Sequence, residues 1–186
     1  MTLTETKNAN PAPLGLLGFG MTTVLLNLHN AGIIELSAAI LAMGLAMGGA
    51  AQLIAGVTEF KLGNTFGGTA FCSYGLFWWS LCLIWLRPFG DIAAAGNATM
   101  GFYLLLWGIF TLFMFVATLK HNRATQTVFG SLTILFFLLA ATDFLESRPL
   151  KTAAGIEGIF CGLSAIYSSM AQIVNGEFGK KIMPLG

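Results

Sequence analysis

Residues 8–23 read NANPAPLGLLGFGMTT, two prolines two positions apart at the mouth of an apolar run that then takes up three glycines. Proline cannot donate a backbone N–H, but the donors of a helix's first turn have no intrahelical partner in any case, so Pro11 and Pro13 suit a helix entrance. Each proline also disfavours the helical region for the residue before it, here Asn10 and Ala12. The chain is therefore expected to enter extended and to turn helical near Pro13. Asn10 keeps an amide that can cap the helix or bond a solute, and both readings stay open.

Working outward from that run, 56% of the 186 residues are hydrophobic and only 9% are charged, against roughly 25% charged in a soluble domain. The chain reads as a membrane protein. A net charge of +1 gives no basic or acidic surface on which to infer a nucleic-acid partner. The first 13 residues lack a basic segment followed by an apolar core, so no cleavable signal peptide is expected. Cys72, Cys82 and Cys161 all lie in apolar stretches without metal-type spacing, and they read as small core residues. No metal or cofactor is expected.

A hydrocarbon core about 30 Å thick takes roughly 20 helical residues to cross. Six stretches qualify, at about 13–34, 38–57, 66–86, 99–119, 125–143 and 153–175. Segment 1–12 and tail 176–186 flank them. Lys7, Lys61, Lys120, Arg123, Lys180 and Lys181 then share one side, against Arg87, Arg148 and Lys151 on the other. That bias predicts an all-α protein of six transmembrane helices with both termini in the cytoplasm. Gly44 and Gly48, and again Gly158 and Gly162, stand four apart, with Gly15 and Gly18 three apart. Small residues at such spacings let helix backbones approach closely, and packing within the chain is the simpler use of them.

Beyond composition, Asn10-Pro11-Ala12-Pro13-Leu14-Gly15-Leu16 resembles the signature of the acetate/succinate transporter family. A second block agrees: Glu59-Phe60-Lys61, then Gly63-Asn64-Thr65-Phe66-Gly67-Gly68-Thr69-Ala70-Phe71, Ser73-Tyr74-Gly75 and Phe77-Trp78. Leu26-Asn27-Leu28-His29-Asn30, Phe110 to Phe115 and Ser164-Ala165-Ile166-Tyr167 extend the likeness over nearly the whole chain.

The resemblance implies a multi-pass permease or channel of the cell membrane for acetate and, in some members, succinate. It also implies a homohexamer with one pathway in each protomer. That pathway would narrow at Phe19, Tyr74 and Leu132, with Ala165 at a position connected with substrate size. Counted from Pro11, Thr65 and Ala124, the three narrowing residues lie 8, 9 and 8 positions into outward-running spans, or about 12 to 14 Å at the helical rise. They share one level near the bilayer middle.

A small carboxylic acid is overwhelmingly anionic at pH 7, and dehydrating it is costly unless the pathway supplies donors. No Lys or Arg lies deep in a span. Neutral groups must serve: Asn10, Asn27, Gln52, Asn64, Thr65, Ser73 and Thr133 are the candidates, with Thr22, Thr23, Thr69, Tyr74 and Ser131 nearby. Such groups hold an anion weakly, which favours throughput, and an apolar collar selects by size. Glu157 reads as a partly hydrated helix-end residue, Glu59 as a structural acid beside Lys61 or a proton relay, and His29 as an interfacial residue. Channel-like anion flow is the preferred mechanism. Proton-coupled symport and a transport-silent sensor or scaffold are the alternatives. Catalysis is not expected, since neither Gly-x-Ser-x-Gly nor His-Glu-x-x-His occurs.

Overall fold

The computed structural model describes residues 9–186, and among these there is no strand. Lys7, Asn8 and most of segment 1–12 lie outside the described residues. Six helical rods follow one another: α1 (Ala12–Asn30), α2 (Ala38–Lys61), α3 (Thr65–Leu86), α4 (Asn97–Lys120), α5 (Arg123–Leu145) and α6 (Arg148–Phe178). The first five are long and apolar enough to cross a membrane. The sixth is the longest, at 31 residues, but mixes Glu157, serines and glycines into its apolar run.

Side-chain caps explain why several rods begin where they do. Gly67 N–H donates to Asn64 Oδ1 at 3.0 Å and Thr125 N–H to Asn122 Oδ1 at 2.9 Å, each satisfying a donor of a first turn. Leu150 N–H reaches Ser147 Oγ at 3.4 Å, and Pro149 fits that same first turn. The rods run past the apolar stretches at most ends because caps and polar turns extend them. The first is shorter than its apolar run: it stops at Asn30, and residues 31–34 form the turn that follows.

Two local features depart from the sequence reading. Ala12 is helical although Pro13 follows it, and the helix starts one residue before Pro13. Pro11 itself takes helical angles as the cap, and its carbonyl accepts from Leu14 and Gly15 N–H, which fixes the first turn around the proline pair. The second departure lies in α2, where Gly44–Ala51 is wound as a π-helix between two α-helical pieces. Its i→i+5 hydrogen bonds widen the turn.

Packing uses the glycines within the chain. A Cβ at Gly162 would stand 2.8 Å from Gly20 O and 2.7 Å from Val24 Cγ2, so α1 and α6 meet almost backbone to backbone. In the π-helical stretch, Gly48 faces the Trp78 ring and Thr22, and Gly44 faces Cys82. The 176–186 tail is no free segment. The α6 helix runs into it as far as Phe178, and beyond the helix Ile182 and Met183 N–H donate to Asn175 Oδ1, Tyr167 Oη donates to Pro184 O, and Ala124 N–H donates to Leu185 O at 2.8 Å.

Candidate functional site

Five helices and the tail enclose a cavity of about 270 Å³. Helix α1 contributes Ala12, Leu16 and Phe19, α2 contributes Gln52 and Glu59, and α3 supplies the wall from Asn64 to Tyr74. The turn before α5 adds His121, α5 itself runs from Thr125 to Leu132, and Gln172 and Leu185 close the remaining side. Counting along α1, α3 and α5, the cavity begins at Ala12, Asn64 and Asn122 and ends at Phe19, Tyr74 and Leu132. It is a vestibule one half-helix deep.

All three end residues are buried, at 6%, 3% and 3% exposure, so none is turned outward from the bundle. The Phe19 and Tyr74 rings lie 6.1 Å apart, centroid to centroid. Tyr74 is held further by Phe110 at 5.5 Å and Phe129 at 6.2 Å, and its hydroxyl donates to Thr111 Oγ1 at 3.0 Å. Thr111 in turn donates to Trp107 O at 2.7 Å. A phenol at this depth needs such a partner, and α4 supplies it.

Gln52 is the unusual member of the wall. It is fully buried, and among the described residues neither Oε1 nor Nε2 has a hydrogen-bond partner. A buried amide without protein partners costs free energy that folding must offset elsewhere, unless water or a solute in the vestibule bonds it. The wall holds one acid, Glu59, and among the described residues no Lys or Arg. Thr23, four residues beyond Phe19 on α1, is another buried group whose hydroxyl lacks a partner among the described residues.

Of the eight pathway candidates, Gln52 and Asn64 line the vestibule. The other six lie elsewhere. Asn10 is occupied inside the chain, accepting from Ala12 N–H at 3.0 Å and donating to Gln172 Oε1 at 3.0 Å. Asn27 sits in the seam between α1 and α6, against Gly158, donating to Thr23 O and accepting from Asn30. Thr133 donates to Phe129 O within α5, Ala165 is fully buried on α6, Thr65 is exposed and Ser73 is half-buried on α3. The signature residues Pro11 to Gly15 build the helix entrance, where Ala12 alone touches the vestibule. Lining residues outside the pathway candidates include His121, Phe129 and Gln172, which no quoted motif contains, and Phe66, which belongs to the second resemblance block. The Phe66 ring makes edge contact with His121 at 4.8 Å.

The sequence profile of the GPR1/FUN34/yaaH family matches residues 1–182. The chain is 54% identical to the succinate-acetate/proton symporter SatP of Escherichia coli strain K12 over 183 residues, spanning 98% of this chain and 97% of that protein. It is 33% identical to acetate permease A of Emericella nidulans over 198 residues, 96% of this chain and 66% of that one. Among solved structures, that of the bacterial acetate channel SatP superposes with a TM-score of 0.94 at 54% identity, covering 97% of this chain and 100% of that one. With its several apolar helices, the protein is a multi-pass protein of the inner cell membrane.

Proposed function

The chain belongs to the GPR1/FUN34/yaaH family, and from that premise we propose that it passes acetate and related small carboxylates, succinate among them, across the membrane through each protomer. The relatives' names support the solute class, since one is a symporter, one a permease and one a channel for acetate. In this reading α1 to α6 all cross the bilayer, both termini are cytoplasmic, segment 1–12 and tail 176–186 flank the spans, and six copies assemble. The vestibule is the inner half of the pathway, and Phe19, Tyr74 and Leu132 are its constriction.

One observation carries the proposal: the vestibule ends at three buried apolar or aromatic side chains, and on the same wall Gln52 offers an amide that no described residue satisfies. Such a site holds an anion by neutral donors, strongly enough to admit it and weakly enough to release it. Passive anion flow is favoured because, among the described residues, no Lys or Arg on the wall would trap the solute. Proton-coupled symport is the second reading, supported by the name of the E. coli relative.

Purified protein in proteoliposomes should take up radiolabelled acetate, and in a planar bilayer an acetate gradient should give a current that reverses near the acetate equilibrium potential. Flux without such a current would select electroneutral symport over channel flow. Folded protein without flux would overturn the transport reading altogether.

A further inference from the structure

Among the described residues Glu59 is the one acid on the vestibule wall, and the constriction does not explain it. The side chain is 4% exposed, and its Oε2 accepts from Asn64 Nδ2 at 2.8 Å. A Cβ on Gly67 would stand 3.0 Å from Glu59 Cδ, so the absence of a side chain at 67 is what lets the carboxyl lie against the first turn of α3. Free N–H groups and the partial positive charge of a helix start favour an anion there. Lys61, on the same helix, is exposed and not part of the wall. Of the other elements, the turn before α5 brings His121 to the wall. The lining residues from α1, α3, α5, α6 and the tail carry no titratable group except Tyr74 at the far end.

We propose that Glu59 is a valence filter: a fixed negative charge on the vestibule wall that slows a dianion more than a monoanion. The inference rests on the transport reading above. Repulsion scales with the charge of the solute. Two like unit charges about 10 Å apart in an effective dielectric of about 20 repel strongly enough to lower occupancy roughly tenfold. A dicarboxylate with both groups ionised is therefore held back about tenfold more than acetate. The filter discriminates by charge, whereas the collar discriminates by width.

The test compares initial uptake of radiolabelled acetate and succinate at pH 7.5, well below half-saturation, in proteoliposomes of the parent, Glu59→Gln and Glu59→Asp. Glutamine keeps an oxygen to accept from Asn64, and thermal unfolding in detergent checks that the fold persists. The expected result for Glu59→Gln is a rise in both fluxes with the succinate-to-acetate ratio up about tenfold, while Glu59→Asp keeps the parental ratio. A ratio within twofold of the parent, or both fluxes falling together, overturns the filter and leaves Glu59 a structural residue. A parent that passes neither acid overturns the transport reading itself, and the filter falls with it by a distinguishable route.

Discussion

Replacing Gln52 by Met should make the protein more stable and less able to bind its solute. The side chain is fully buried and both amide atoms lack partners among the described residues. A buried polar group left unsatisfied costs about 1 to 3 kcal/mol, and an apolar group of similar shape removes that cost. Methionine is unbranched and close in length, so it fills the same space with little repacking. The variant should therefore unfold at a higher temperature in detergent. The same change deletes a hydrogen bond to a charged solute, worth about 1.5 to 3 kcal/mol. That corresponds to roughly a tenfold to hundredfold weaker half-saturation for acetate flux. Acetate should also raise the unfolding temperature of the parent and not that of the variant, since a ligand stabilises only the state that binds it. A less stable variant with unaltered half-saturation would refute the reasoning, because Gln52 would then be a structural residue with partners of its own.

Two further outcomes follow from the packing. Gly162→Ala places a Cβ within 2.8 Å of the Gly20 carbonyl, and separating α1 from α6 should cost about 1 to 3 kcal/mol in unfolding measurements. Gly176→Ala, with no atom within 4 Å of the new Cβ, is the control, and it should be neutral or stabilising by up to about 1 kcal/mol. Leu132→Ala should destabilise by about 2 to 5 kcal/mol and widen the collar, raising the flux of butyrate relative to acetate. An unchanged butyrate-to-acetate ratio in folded Leu132→Ala would remove Leu132 from the constriction.

Helices were legible because lipid leaves few alternatives: a run of twenty apolar residues must satisfy its own backbone, and hydropathy reports such runs directly. Their ends were less so, since Asn64, Asn122 and Ser147 cap by side-chain oxygens whose residue types also occur in loops. Phe19, Tyr74 and Leu132 could be brought to one level by counting residues at 1.5 Å each. The same count said nothing of which amides face the cavity. Asn10, Asn27 and Gln52 are alike as residue types, yet two satisfy themselves inside the chain and one does not. That difference is decided by contacts between helices 1, 2 and 6, which no local pattern encodes. His121 and Gln172 reach the vestibule for the same reason. The π-helical stretch also escaped detection, because a run of Gly, Ala, Leu and Met has no polar face to betray a change of pitch.

The widened winding at Gly44–Ala51 sits upstream of both Gln52 and Glu59, so it sets their azimuth. An α-helix advances about 100° per residue, and i→i+5 bonding turns less at each step, so rewinding these same eight residues at ordinary pitch would turn everything downstream by about one residue's angle. Both side chains would then swing off the vestibule wall together. Removing one codon along with the change of pitch would cancel that rotation, so for a pathway built this way the winding and the length of a glycine-rich stretch are determinants only in combination.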